Sequence, residues 1–181
     1  MKKVSLLFIF ISLALSPNGA SARAAKEAHI PDAVIAEIKS LEEGCRLEKS
    51  TSQQTESKYD YVKRVDLNGD GVDDFILEDA YIPCEAGASY RHGNGGTGVI
   101  IFANTPRGVI KAFDKTVFGI TIEKLESKAT VWIKVGGHYC GQEIFVDRAS
   151  AISCDIPLVW NASTKQFNLA PLNQARFPRR F

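Results

Sequence analysis

Asp66, Asn68, Asp70 and Asp74 put oxygen-bearing side chains at spaced positions around Gly69 and Gly71, an arrangement that suits a hard divalent cation. Gly71 allows a sharp bend and Val72 offers its main-chain carbonyl. The expected ligands of one Ca²⁺ are therefore Asp66, Asn68, Asp70, Val72 and Asp74. Carboxylates crowded together without a cation repel and raise one another's pKa, so the ion supplies the compensation. Asp73 falls off the alternation and is expected to face water, while Glu78 is a candidate outer contributor. Leu77 stands where a helix-flanked calcium loop would carry a bidentate glutamate, which implies weak, extracellular-type affinity on the order of 10⁻⁴ to 10⁻³ M. The plain alternative is an Asn-Gly/Asp-Gly hairpin turn with acids on a solvated tip.

Two glycine-rich stretches carry the remaining side chains with binding chemistry. Tyr90, Arg91 and His92 lie in the first, and His138, Tyr139 and Gln142 in the second. Together they make a candidate ligand-binding face. His138 is a candidate general base, but a base needs a nucleophile or metal partner and the sequence nominates none. No GxSxG, HExxH or phosphate-cradling glycine loop occurs, so the catalytic residues are unassigned. Trp132 and Trp160 sit within apolar runs and are expected in the core rather than on a sugar platform.

The elements that must position these residues follow from periodicity. Asp32 is a candidate cap, apolar positions Val34, Ile35, Ile38 and Leu41 recur at helical spacing, and Gly44 is a stop, which predicts a helix over 32–43. Beyond it the period switches to two. Strands are expected around 59–65, 75–77, 99–102, 109–113, 117–122, 130–135, 159–160 and 166–169, joined by short turns. The fold class is α+β, mainly β: an antiparallel sheet with one N-terminal helix packed on it.

Export is expected from the start of the chain. Lys2 and Lys3 precede an apolar run over 4–15 and the small residues Ala20-Ser21-Ala22, the pattern of a secretory leader cleaved after Ala22. The apolar run is shorter than the roughly 20 residues a membrane helix needs, and no other such run follows. The expected organisation is a leader over 1–22, a flexible stretch over 23–30, one globular domain over 31–172 and a basic, aromatic tail over 173–181 that is solvated or touches an anionic surface. Loss of Lys2 and Lys3 turns the formal charge of +1 into −1, which does not advertise a nucleic-acid partner.

All four cysteines fall in the exported part, and an even number there reads as two disulfides. Three pairings are open. The turn-prone stretch 147–150 favours Cys140 with Cys154, which leaves Cys45 for Cys84, and closing so short a loop stabilises by about 3 kcal/mol. Zinc is disfavoured because no CxxC or HxxxH spacing exists and His29, His92 and His138 are scattered.

The run from Asp66 to Asp74, followed by Phe75-Ile76-Leu77, resembles the calcium-binding segment of FG-GAP/VCBS-type repeats, in which an acidic loop leads into a strand. The match covers about a dozen residues and occurs once, so it implies the ligand positions and a structural calcium, not a propeller. The expected function is a calcium-stabilised binding or interaction module, periplasmic or secreted, with an envelope or extracellular protein or glycan as partner. A cell-envelope hydrolase using His138 or Glu143, and a secreted inhibitor of an envelope-degrading enzyme, are the alternatives.

Overall fold

The computed structural model describes residues 29–45, 59–84, 86, 90, 95–125, 128–144, 147 and 150–178. Its helix, α1 (Asp32–Glu43), buries Val34 and Ile38 and leaves Asp32 and Glu43 exposed. The cap differs from the expectation. Pro31 holds that position, and its carbonyl accepts from the N–H groups of Val34 and Ile35, while Asp32 lies in the first turn. Its negative charge still suits the helix N-terminus. A helix of this length is marginal alone, so packing and two ties hold it. Lys111 pairs with Glu37 at 2.8 Å, and Cys45, just past the helix, is bonded to Cys84. The Lys111 pKa is raised: burial pulls it down, but the hydrogen bonds and charges of Glu37 and Asp114 outweigh that.

Among the described residues the strands form two antiparallel sheets of four, where one sheet was expected. The first is β1 (Lys63–Val65), β2 (Asp74–Glu78), β3 (Thr97–Thr105) and β4 (Gly108–Val117), paired in that order. The second is β5 (Gly119–Leu125), β6 (Lys128–Gly136), β7 (Ser153–Asn161) and β8 (Gln166–Leu169). The reason is cover. Strands β2 and β3 are apolar on both faces, and one helix shields only one of them. Phe75, Leu77, Ile100 and Phe102 pack with Val34 and Ile38 of α1. Val65, Ile76, Val99 and Ile101 pack instead with Val131, Ile133, Val135 and Ile156 of the second sheet. The result is three layers, helix on sheet on sheet, of class α+β and mainly β.

Two irregularities shape the interlayer space. Between Ile101 and Phe102 the β3–β4 register shifts, so Ala112 is an extra residue on β4 and both Ala112 and Phe113 are buried. The expected continuous strand over 117–122 breaks at Phe118, where the chain leaves the first sheet and enters the second. Phe118 lies so close to Gly136 that a Cβ there would sit 2.6 Å from its ring. Gly96, at φ +121°, backs onto Val117, whose carbonyl oxygen a Cβ would approach to 2.1 Å.

Both disulfides join the expected partners, Cys45 with Cys84 and Cys140 with Cys154, at Cα separations of 5.2 and 5.8 Å. Among the described residues no helix is long and apolar enough to cross a membrane.

Candidate functional site

The acidic loop joins β1 to β2 as a hairpin connection between extended strands. Its tip is organised by its own side chains. Asp66 accepts from the N–H of Gly69 at 2.7 Å through Oδ1 and of Gly71 at 2.8 Å through Oδ2. Asn68 Oδ1 accepts from Asp70 N, and Asp70 Oδ1 from Val72 N, each at 2.9 Å. Gly69 and Gly71, at φ +81° and +84°, make the bends that bring these donors round. Each of these oxygens keeps a free lone pair. The tip is exposed, as is Asp73.

Asp74 has a different task from the one expected. It is fully buried at the start of β2. Its Oδ2 accepts from Leu67 N at 2.8 Å and Asn68 N at 3.1 Å, and its Oδ1 from Asn104 N at 2.8 Å and Asn68 Nδ2 at 3.3 Å. A carboxylate offers about four lone-pair sites, so these donors occupy it and it clamps the loop to the end of β3. Burial raises the Asp74 pKa against the pull of the Asn104, Leu67 and Asn68 N–H groups, and the nearby Asp70 charge raises it further. A carboxyl with a raised pKa stabilises the fold most below its ordinary value of 3.8 and loses that contribution as pH rises through the folded value. Glu78 is likewise engaged, buried and paired with Lys63. The loop thus offers a cation Asp66, Asn68, Asp70 and the Val72 carbonyl. Among the described residues, no three His, Cys, Asp or Glu side chains gather as a metal's ligands.

The second candidate face is built on the short 3₁₀ turn Gly137–Cys140, which follows β6. Cys140 is buried and bonded to Cys154 of β7, which pins the turn to the second sheet. His138 and Tyr139 project outward with ring centroids 4.0 Å apart. Gln142 is used locally, its Oε1 accepting from Ile152 N at 3.0 Å. Tyr90 is exposed, whereas Arg91 and His92 lie outside the described residues. Glu143 is exposed, and no hydrogen bond joins it to His138 among the described residues.

Tyr139 lines a cleft of about 170 Å³ where the two sheets part. Phe113, Lys115 and Val117 of β4 form one wall, and Ile133 and Val135 of β6 with Leu169 of β8 the other. The signal for Lys115 was present in the sequence: period two puts it on the same strand face as Phe113 and Val117.

A third cluster lies on the outer face of the second sheet. Arg176 forms a β-bridge with Asp155 of β7, and its guanidinium lies 3.5 Å over the Trp132 ring while pairing with Glu123. Trp132 Nε1 donates to Glu123 at 3.0 Å. Trp132 is therefore half-buried under an arginine rather than in the core, whereas Trp160 packs against the core beside Phe167. Within 173–178, expected as a tail that is solvated or touches an anionic surface, the residues are mostly exposed and Arg176 ties the segment to the second sheet. The Arg176 hydrogen bond, opposed by burial and aided by the Arg176 charge and the Trp132 N–H, lowers the Glu123 pKa below 4.5. A lowered carboxyl stabilises above its ordinary value and loses that contribution as pH falls through the folded one. Tryptophan emission is expected to change in an acid titration below pH 4.5, and Arg176→Ala to move that step up toward the ordinary carboxylate value.

Comparison with protein-family models, with curated proteins and with solved structures returned no match.

Proposed function

We propose that this chain is an exported binding module of the cell envelope or extracellular space, stapled by two disulfides and one structural Ca²⁺. It takes a protein or glycan partner at the Tyr139 end of the interlayer cleft. The observation that carries the reading is Tyr139 itself, 41% exposed at the mouth of the cleft and one residue before the buried, disulfide-bonded Cys140. An exposed aromatic on a preorganised frame provides contact area at low entropic cost. The two disulfides suit an oxidising compartment.

Calcium belongs to the same reading as a staple. Asp66, Asn68 and Asp70 would hold it at the loop tip with the Val72 carbonyl, and an affinity on the order of 10⁻⁴ to 10⁻³ M suits an ion always present outside the cell. Affinity capture from an envelope extract in calcium tests the binding role. Native protein is expected to retain a specific partner that Tyr139→Ala loses. Equal retention by both would contradict this placement of the binding face.

A further inference from the structure

Lys115 is exposed at the edge of the first sheet, yet its strand position belongs to an inward face. Thr97, Val99 and Ile101 of β3 pair directly with Val117, Lys115 and Phe113 of β4, so Lys115 shares the face that meets the second sheet. Its neighbours Phe113 and Val117 and its partner Val99 are all buried. Lys115 has no acid partner among the described residues, as is also true of the surface lysines Lys39, Lys124 and Lys165. The cation lines the cleft of about 170 Å³ together with Ile133, Val135, Leu169 and Tyr139.

An exposed, unpaired cation beside a small hollow of mixed polar and apolar lining suits a ligand with two parts. The hollow is close in size to the apolar cavity of about 150 Å³ that accommodates benzene, which limits the apolar part to one ring or a short branched chain. The charge calls for an anion, and a carboxylate answers it with a charge-assisted hydrogen bond. We propose that the cleft binds a small carboxylate, its acid group at Lys115 and its ring or branched alkyl body against Ile133, Val135 and Leu169 beneath Tyr139. The ligand class rests on the reading of this cleft as the binding face. A lysine on an edge strand also discourages edge-to-edge pairing. That role needs the charge alone and assigns no ligand to the hollow.

Phenylacetate and its neutral analogue phenylacetamide separate the two roles in amide NMR titrations of the calcium-loaded protein. Phenylacetate is expected to shift signals from 113–117 and 133–139 saturably. Phenylacetamide, and phenylacetate against Lys115→Met, are each expected to bind about tenfold more weakly, the usual scale of one charged hydrogen bond. Lys115→Met keeps the apolar stem, and an unchanged circular dichroism melt checks its fold. Equal affinity for acid and amide, undiminished binding by Lys115→Met, or no saturable shift would each overturn the carboxylate assignment. If phenylacetate fails while the Tyr139-dependent partner is still captured, the ligand class falls and the binding-module reading stands.

Discussion

Asp74→Ala is expected to destabilise the protein by about 3 kcal/mol, because it strands the N–H groups of Leu67, Asn68 and Asn104 at a buried site where each unmet donor costs about 1 to 3 kcal/mol. Relief of the buried charge and entry of water offset part of that loss. At the 2 to 4 °C per kcal/mol typical of chains this long, the melting temperature should fall by about 10 °C. Asp66→Ala touches only exposed N–H groups, so without an ion it is expected to cost about 1 kcal/mol or less. The two variants respond differently to chelator. The Asp74→Ala deficit should persist in it, whereas the extra loss that Asp66→Ala shows in calcium should vanish. A deficit at Asp74 that disappeared with the ion would make Asp74 a ligand and not a clamp. Melting curves in calcium and in chelator read both.

The disulfides give the second large effect. In the chain-entropy picture the 39-residue separation of Cys45 and Cys84 is worth about 4 kcal/mol, and the 14-residue separation of Cys140 and Cys154 about 3 kcal/mol. Their consequences differ in place. Replacing Cys45 and Cys84 by alanine should loosen α1 from the first sheet, a loss that the Lys111–Glu37 pair only partly resists. Replacing Cys140 and Cys154 should release the turn that carries Tyr139, with faster amide exchange at 137–142. Equal exchange in that turn for the two double variants would contradict the assignment of the second bridge to the binding face.

The sequence made some of this legible because local chemistry decides it. The α1 boundaries follow from apolar spacing and Gly44, and the loop lies between two extended segments because period two resumes on both sides of it. The second sheet was less legible. Nothing local in Ile76 or Ile101 says whether a helix or another sheet will cover it, and the sheet switch at Phe118 reads as one uninterrupted strand. Asp74 looks like its acidic neighbours in the sequence, and only Asn104, thirty residues away, shows what it clamps. Arg176 and Trp132 meet through a bridge to Asp155 that no spacing rule announces.

The proposed calcium staple and the proposed binding face lie on different loops, one between β1 and β2 and the other after β6. Amide NMR during a CaCl₂ titration of chelator-treated protein tests their independence directly. Saturable shifts are expected at 66–72, with a midpoint on the order of 10⁻⁴ to 10⁻³ M, while the signals of 137–142 and Lys115 stay in place. No shift in the loop, or a response centred on Tyr139, would contradict it.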